Sequence, residues 1–219
     1  MWELLRAPTV QVAIDVLDVD SALRVAEAAV RAGADWLEAG TPLITFCGTP
    51  VIGTLARAFP GVPVLADYKA MDGVRKYVLE TASQGGRLAT VCAVAADASV
   101  RTAVEAGRES GIAVVCDLYA APDVGARAAE VVAIGVDSVY VHWGADQRAA
   151  DPGRDSQADI AAVLEAVRVP VGIATFSADD GVRAVRGGAR IAVIGAPLIQ
   201  QDDVEGALRD YVERVKAAA

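Results

Sequence analysis

Six ionisable side chains interrupt short runs of apolar residues, and each stands at or near the C-terminal end of its run. These side chains are Asp15, Glu38, Asp67, Lys69, Asp117 and His142. If the runs are parallel strands of one sheet, their C-terminal ends meet at one edge and the six side chains lie close together. Side chains alternate along a strand, so Asp67 and Lys69 are expected to point to the same side. The spacing therefore predicts a polar site at this edge.

Four carboxylates around one lysine carry excess negative charge where the dielectric constant is low. Such a cluster must take up protons or be neutralised by a cation. Oxygen ligands suit Mg²⁺ or Mn²⁺ better than Zn²⁺. His142 is the only histidine of the chain. A lone histidine is more often structural, but its position among these carboxylates favours proton transfer. We therefore expect metal-assisted chemistry with a movable proton.

A single acidic residue at the end of a strand is usually a helix cap or half of a loop ion pair. We interpret Asp18, Asp20 and Asp123 in this way. A scaffold or binding protein without activity is the alternative for the whole chain. A protein core gains nothing from burying such charges, and this speaks against that alternative for the group Glu38, Asp67, Lys69, Asp72, Asp117 and His142.

The apolar runs alternate with alanine-rich stretches of helical periodicity. Strands are predicted at 10–16, 35–40, 62–69, 87–93, 112–118, 137–143, 169–174 and 190–196. A helix is predicted after each strand, at 20–32, 48–58, 73–84, 97–109, 122–134, 155–167, 178–187 and 201–216. Eight such units in 219 residues predict one α/β domain over residues 1–219, a (β/α)8 TIM barrel. An open doubly wound sheet is the alternative, but no G-x-G-x-x-G motif follows the first strand.

Composition excludes several other classes of protein. The formal net charge of −9 argues against binding to nucleic acid or to an anionic membrane. No apolar run reaches the ~18 residues of a membrane span, and the N-terminus lacks the features of a signal peptide, so a cytoplasmic protein is expected.

The three cysteines Cys47, Cys92 and Cys116 have no metal-ligand spacing and are predicted to be small buried residues in a reducing compartment. The alternative is a catalytic cysteine with His142 as its base.

Two motifs in these runs resemble the orotidine 5′-monophosphate decarboxylase superfamily. One is the Asp-x-Lys-x-x-Asp pattern of Asp67, Lys69 and Asp72 at the end of the third strand, and the other is Glu-x-Gly-Thr-Pro, which begins at Glu38. The similarity continues through QVAIDVLDVDSA, ATVCAVAADAS, VVCDL and VYVHWGADQ, and so covers nearly the whole chain. Within the superfamily, the sequence most resembles the 3-hexulose-6-phosphate synthase and 3-keto-L-gulonate-6-phosphate decarboxylase families.

The resemblance implies a division of roles at the site. Glu38 and Asp67 would hold Mg²⁺ or Mn²⁺ against the two oxygens of a cis-enediolate. Lys69 would place positive charge beside that oxyanion.

The same resemblance assigns the remaining acids and the histidine. Asp72 would reach into the site of a partner subunit, which makes the enzyme a homodimer. Asp15 and Asp117 would bind substrate hydroxyls or position Lys69. His142 would shuttle the proton at the reacting carbon.

Between the two families, the sequence favours the synthase, which adds formaldehyde to D-ribulose 5-phosphate. Met71 and the segment VVCDL resemble that branch. The decarboxylase tends to have glutamate where Asp117 stands and arginine shortly after the histidine, whereas the first arginine here is Arg148. Decarboxylation of a 3-keto sugar acid phosphate remains the alternative. Ribulose-phosphate 3-epimerase, a neighbour in fold, would need several histidine ligands, and one cannot supply them.

The loops expected to bind phosphate depart from the family pattern. They read Gly172-Ile173-Ala174-Thr175-Phe176-Ser177 after strand seven and Gly195-Ala196-Pro197-Leu198 after strand eight, where relatives commonly have Gly-Gly-Ile and Gly-Arg. Backbone amides, two hydroxyls and the start of the next helix are expected to bind the phosphate. The predicted phosphate residues are Gly172, Ala174, Thr175, Ser177, Gly195 and Ala196.

A changed substrate is the alternative to retained phosphate binding. Proline at position 197 has no N–H to offer a phosphate. The substrate would then be unphosphorylated or would carry a bulkier group. An apolar pocket near the mouth would receive it, with Trp143 and Phe176 in its wall and Thr41 close by.

Overall fold

Eight parallel strands close into a barrel in the computed structural model, which describes residue 5 and residues 8–154 and 157–218. The strands are β1 (Thr9–Ile14), β2 (Trp36–Ala39), β3 (Val64–Ala70), β4 (Leu88–Cys92), β5 (Ala113–Asp117), β6 (Ser138–Val141), β7 (Val171–Thr175) and β8 (Ile191–Ile194). Each strand pairs with the next, and β1 pairs with β8 through Thr9–Ile191 and the following residues. The predicted TIM barrel is confirmed.

Helices follow the strands along the chain. They are α1 (Val19–Arg31), α2 (Thr41–Cys47), α3 (Pro50–Ala58), α4 (Val74–Ser83), α5 (Asp97–Ser110), α6 (Val124–Ile134), α7 (Ala145–Ala150), α8 (Gln157–Ala166), α9 (Ala178–Arg186) and α10 (Val204–Lys216). A short 3-10 helix, Leu198–Gln200, precedes α10. The first two residues of the helix predicted at 155–167 lie outside the described residues. No described helix combines the length and apolar content needed to cross a bilayer.

Two helices were missed because they occupy loops between a strand and its main helix. α2 follows β2 directly, and its Pro42 stands near the start, where the missing N–H costs no helical hydrogen bond. α7 follows β6 and has no buried residue. The strand predicted at 137–143 ends earlier, at Val141, so His142 and Trp143 belong to the loop that follows it.

The helix caps agree with the interpretation of Asp18 and Asp123, whereas Asp20 is not a cap. Asp18 accepts a hydrogen bond from the Ser21 amide at 2.8 Å and caps α1. Asp123 accepts from the Ala126 amide at 2.9 Å and caps α6. Asp20 lies in the first turn of α1, where its negative charge interacts favourably with the helix dipole and stabilises the helix.

The interior of the barrel is filled by alternate residues of the strands, while apolar faces of the helices cover its outside. The inner cluster consists of Ala13, Trp36, Leu65, Leu88, Ala113, Val115, Tyr140, Ile191 and Val193. Cys92 and Cys116 are buried, and burial raises the pKa of both thiols, which disfavours a nucleophilic thiolate. Cys47, at the end of α2, is only partly buried, so the prediction was wrong for this cysteine.

Gly172 lies inside the barrel and leaves space for an aromatic ring. It is the second residue of β7, and a Cβ at this position would come within 2.5 Å of two carbons of the Tyr140 ring. Gly172 therefore lies below the mouth and does not line the cavity there, so the structure does not bring it to the expected phosphate site.

We expect Gly172→Ala to lower the free energy of unfolding by about 1–3 kcal/mol, the usual cost of forcing a methyl group into a packed core. Urea denaturation measures this change. Gly153→Ala is the control, since its added Cβ would meet nothing closer than Asp151 Oδ1 at 3.9 Å. Equal unfolding midpoints for the two variants would show that the Tyr140 ring can move aside.

Candidate active site

A cavity of about 150 Å³ opens at the C-terminal ends of the strands, and the six residues singled out in the sequence all line it. They are Asp15, Glu38, Asp67, Lys69, Asp117 and His142. The predicted convergence of these side chains is therefore confirmed, because parallel strands of a closed barrel end at the same face. Their chemical roles depend on the contacts that each one makes.

Lys69 carries the positive charge of the site. Its Nζ contacts Asp67 directly, donates to Thr41 Oγ1 at 3.2 Å and lies 3.8 Å from Asp117 Oδ2. Burial lowers the pKa of this ammonium, but attraction to Asp67 and Asp117 outweighs it, so the pKa is raised and Lys69 stays charged.

The backbone of Lys69 is strained. Its φ is 45°, in the left-handed region that residues other than glycine rarely adopt. The pairing register between β3 and β4 shifts between Ala66 and Ala70, and the Lys69 amide donates instead to Thr90 Oγ1 at 2.9 Å. Strain of this kind concentrates at functional sites, where surrounding contacts hold it in place.

Asp67 is buried and accepts several hydrogen bonds. Thr41 Oγ1 and Thr90 Oγ1 each donate to it at 2.8 Å, and Lys69 contacts it. Burial by itself raises the pKa of Asp67, but the Lys69 charge and these hydrogen bonds prevail and the net pKa is lowered. Asp67 is therefore ionised. Thr41 was predicted as a pocket residue, whereas it lies behind this pair and does not line the cavity.

Glu38 has no cation in direct contact with it among the described residues. Burial raises its pKa well above the usual range, and the charges of Asp67 and Asp15 raise it further. Gln11 Nε2 donates to Glu38 Oε2 at 2.5 Å, and the Tyr140 hydroxyl donates to Gln11 Oε1 at 2.7 Å. Gln11 and Tyr140 were not predicted as site residues. Gln11 stands four residues before Asp15, so alternation along the strand would have placed both side chains on the same side.

The donor set fits a hard divalent cation held by few protein ligands. No three His, Cys, Asp or Glu side chains converge as a ready-made ligand set within residues 8–154 and 157–218. Mg²⁺ commonly takes one or two carboxylates and fills its other positions with water or substrate oxygens. Glu38 and Asp67 would supply two, and a cation beside Glu38 would offset the burial and the repulsion that raise its pKa.

Asp15 lies at the rim of the cavity. Its side chain reaches solvent, yet the barrel wall removes part of its hydration, and this effect together with the Asp67 charge raises its pKa. Gly40 makes room for it, because a Cβ there would come within 2.0 Å of Asp15 Oδ1. Asp72 is exposed in the loop after β3 and does not line the cavity of its own subunit.

His142 and Asp117 form a pair on the opposite wall from Glu38 on β2. His142 Nδ1 lies 2.8 Å from Asp117 Oδ2, while Asp117 Oδ1 accepts from the Tyr119 amide at 2.9 Å. Burial lowers the pKa of His142, but the hydrogen bond and the charge of Asp117 outweigh it, so the net pKa is raised above 6.5. The pair stabilises the folded state fully below that pH, and its contribution is lost as the pH rises through the folded-state pKa.

We expect Asp117→Asn to lower the pKa of His142, because the substitution removes the negative charge that raises it. His142 is the only histidine in the sequence, so its imidazole NMR signals can be followed through a pH titration without ambiguity. A pKa that stays at the wild-type value would contradict the assigned cause. Glu109→Gln, at an exposed glutamate of α5, is the control and should leave the titration unchanged.

The loops after β7 and β8, where a phosphate is expected to bind, differ most from the prediction. The Thr175 hydroxyl points into the fold, where it bonds to the Val193 carbonyl at 2.8 Å and the Tyr211 hydroxyl at 2.6 Å. These contacts speak against it as a phosphate donor. Ser177 Oγ accepts from the Asp180 amide at 3.1 Å and caps α9.

The remaining predicted residues of this end divide between two cavities. Ala174, Gly195 and Ala196 line the cavity at the mouth, as predicted for phosphate-binding backbone. Phe176 lines it as well. Trp143 lines a second, adjoining cavity instead.

Known proteins with similar sequences and folds point in one direction. The family model described as orotidine 5′-phosphate decarboxylase / HUMPS family matches residues 8–211. A 3-hexulose-6-phosphate synthase of Mycobacterium gastri is 36% identical over 201 residues, covering 91% of this chain and 96% of that protein. A crystal structure of 3-hexulose-6-phosphate synthase, 34% identical, superposes with a TM-score of 0.88 over 96% of this chain and 99% of that one.

A solved structure of lower sequence identity shares the fold. The crystal structure of 3-keto-L-gulonate-6-phosphate decarboxylase from Vibrio cholerae superposes with a TM-score of 0.82 at 19% identity, over 98% of this chain and 100% of that one. At this identity the likeness concerns the architecture alone. The family match over nearly the whole chain and the 36% identical relative agree with the residues gathered at the barrel mouth. The chain belongs to the orotidine 5′-phosphate decarboxylase / HUMPS family.

Proposed function

We propose that the protein is a Mg²⁺-dependent aldehyde-lyase of the 3-hexulose-6-phosphate synthase type, which adds formaldehyde to D-ribulose 5-phosphate. One observation carries the proposal. A charged lysine, Lys69, lies between Asp67 and Asp117, and Asp117 in turn holds His142. Such a site can remove a proton next to a carbonyl and stabilise the negative charge that results. The similarity to synthases at 36% and 34% identity supports this choice of reaction.

His142 handles the proton in this proposal. Its neutral form accepts the proton that leaves the carbon next to the sugar carbonyl, and that carbon then bonds to the carbon of formaldehyde. The formaldehyde oxygen becomes a hydroxyl by taking a proton, which His142 can return. Asp117 orients the imidazole through Nδ1, so Nε2 is the nitrogen left to face the substrate.

Lys69 and two carboxylates provide the charges around the sugar. Lys69 remains protonated and lies beside the oxygen that becomes negative. Glu38 and Asp67 would hold Mg²⁺, and when bound the ion supplies Lewis acidity for that same negative charge. Asp15, at the rim, accepts hydrogen bonds from the sugar hydroxyls.

We further propose a cytoplasmic homodimer in which Asp72 completes the partner's site. Large apolar side chains are exposed in α2, α4 and the loops after β1, β3 and β4. They are Leu17, Phe46, Met71, Tyr77 and Val94. The loops and α2 follow the C-terminal ends of strands, as Asp72 does, and Met71 is its neighbour in sequence. A second copy of the chain covering this face would bury these side chains and bring its own Asp72 close to the cavity.

The reaction can be tested by incubating the purified protein with D-ribulose 5-phosphate, formaldehyde and Mg²⁺. We expect formaldehyde-dependent loss of the pentulose phosphate and formation of a six-carbon ketose phosphate, followed by mass spectrometry. Release of CO₂ from 3-keto-L-gulonate 6-phosphate at a higher kcat/KM would support the carboxy-lyase alternative instead. Turnover of neither substrate would contradict both reactions.

Activity on a different, unphosphorylated substrate is the second candidate function, because the loops after β7 and β8 depart from the expected phosphate-binding pattern. The loop after β8 begins with Gly195-Ala196-Pro197-Leu198 and contains no arginine there, and Phe176 occupies the loop after β7. If sugar phosphates give no turnover and inorganic phosphate does not inhibit, unphosphorylated substrates should be tried with variants of Trp143 and Phe176.

A further inference from the structure

A second cavity, of about 350 Å³, adjoins the one at the barrel mouth. The two share a wall formed by Ala174, Thr175 and Phe176, at the end of β7 and the start of the next loop. Its remaining walls come from residues 143–154, from α8, from Ile173 of β7 and from α9. The second cavity therefore lies beside the loop in which the phosphate of a substrate is expected.

Three arginines, Arg148, Arg154 and Arg183, line the second cavity together with two carboxylates. Arg154 pairs with Asp159 at 2.6 Å, and Arg183 pairs with Asp180. Arg148 makes no ion pair with a carboxylate of the described residues; its guanidinium instead lies 3.7 Å from the centroid of the Phe176 ring. Stacking on Phe176 holds the planar donor fork at the border between the cavities and leaves its N–H groups free for an anion.

A buried donor on Trp143, a residue that lines the same cavity, points to a ligand independently of the charges. The indole Nε1 of Trp143 is buried and has no hydrogen-bond partner among the described residues, although the Arg154 guanidinium lies 4.0 Å from the ring centroid. Buried N–H groups in folded proteins are nearly always paired with an acceptor. An anion in this cavity would supply that acceptor.

We propose that Arg148 and the Trp143 indole N–H form an anion subsite that binds the phosphate group of the substrate. The inference rests on the proposed sugar-phosphate chemistry and makes it more specific. The loops after β7 and β8 contain no arginine up to Leu198, and Pro197 lacks an N–H. The Phe176 amide already donates to Asp180 Oδ2 at 3.3 Å, and the Thr175 hydroxyl is engaged within the fold. Arg148, from α7, supplies the cation that these loops lack.

Arg148→Gln tests the subsite through binding and through kinetics. We expect the affinity for inorganic phosphate, measured by isothermal titration calorimetry, to fall about 10–100-fold, as for a lost charge-assisted hydrogen bond. KM for D-ribulose 5-phosphate should rise by a similar factor, while kcat and the KM for formaldehyde change little. Arg148→Lys should restore part of the affinity, and Trp143→Phe should weaken phosphate binding as well.

The control is Arg57→Gln, at an exposed arginine of α3 far along the chain from the cavity. Phosphate affinity equal to wild type in Arg148→Gln would overturn the subsite. Inhibition by inorganic phosphate that is not competitive with the sugar phosphate would overturn its assignment to the substrate. Phosphate binding that depends on Arg148 without any turnover would support the subsite and contradict the proposed reaction, so the two failures can be distinguished.

A hydrogen-bond chain beneath the mouth supports a second inference. Tyr140 donates to Gln11 Oε1, Gln11 Nε2 donates to Glu38, and all three side chains are buried inside the barrel. The Tyr140 hydroxyl fixes which end of the amide faces Glu38, because a rotated amide would place its oxygen against the carboxylate. We infer that Tyr140 and Gln11 are positioning residues, which hold the Glu38 carboxyl group in the orientation that a metal ligand needs.

Metal affinity is the readout for this inference. We expect Tyr140→Phe and Gln11→Met to weaken Mn²⁺ binding, followed by electron paramagnetic resonance, by about 10–100-fold, the usual effect of losing a group that orients a ligand. Tyr211→Phe is the matched control, since it removes an equally buried hydroxyl with one bond, to Thr175. Wild-type Mn²⁺ affinity in both Tyr140→Phe and Gln11→Met would overturn the inference, and so would Mn²⁺ binding too weak to measure in the wild type.

Discussion

Turnover should fall by about 10³-fold or more when Glu38 is replaced by glutamine, because the loss of a metal that stabilises developing charge is worth several kcal/mol of activation free energy. The substitution keeps the shape of the side chain and can still accept from Gln11. It removes the negative charge, which burial and two neighbouring carboxylates already make unfavourable without a cation. The loss of kcat/KM should therefore be accompanied by loss of Mg²⁺ affinity.

Two further measurements separate a metal effect from a general disturbance. An excess of chelator should abolish the activity of the wild-type protein, and added Mg²⁺ or Mn²⁺ should restore it. Glu27→Gln, at an exposed glutamate of α1 that pairs with Arg31, should leave activity and metal affinity unchanged. Full activity in excess chelator would contradict the proposed metal.

Glu38→Gln should raise the free energy of unfolding at neutral pH, although it lowers the activity. A buried carboxylate whose pKa is raised weakens the fold at neutral pH, and a neutral amide of the same shape removes that cost. Functional sites commonly carry such a conflict between stability and activity. A higher urea midpoint for Glu38→Gln in the absence of Mg²⁺ would be the sign of it.

The barrel was predictable because two simple periods run through the whole sequence. Short buried strands and alanine-rich helical stretches alternate eight times, and a closed barrel brings all the strand ends to one face. The convergence of Lys69, Asp117 and His142 followed from that geometry, without knowledge of their contacts. What the periods could not reveal were the short helices α2 and α7, which begin directly after strands and break the alternation.

The residues that support the site were harder to predict, because their partners are distant in sequence. Tyr140 donates a hydrogen bond to Gln11 across the barrel, and the two are 129 residues apart in sequence. From the sequence alone, Tyr140 is indistinguishable from any other aromatic residue in a buried strand. Thr90 orients both Asp67 and the Lys69 amide, yet a threonine within a strand has no distinctive pattern. The sequence shows that the loops after β7 and β8 contain no arginine up to Leu198, but it does not show that Arg148 of α7 stacks on Phe176.

Mixing two inactive variants should restore activity if Asp72 acts in the partner's site. Asp72→Ala subunits keep Glu38, and Glu38→Ala subunits keep Asp72. In a two-fold symmetric dimer that contains one of each, the first subunit's Glu38 meets the second subunit's Asp72, and one complete site results. Random exchange of equal amounts should therefore give about a quarter of the wild-type number of sites. The recovered activity per site should equal that of the wild type, since no residue of a complete site is altered.

The control mixture combines Glu38→Ala with Lys69→Ala, which both lie in the cavity of one subunit. No arrangement of these two variants yields a site with both residues, so activity should stay absent. If Asp72 acted within its own subunit, the first mixture would remain as inactive as the control. The exposed position of Asp72, outside the cavity of its own chain and next to the exposed Met71, is the physical reason to expect rescue. Light scattering that shows a monomer with full activity at micromolar concentration would contradict the shared site before any variant is made.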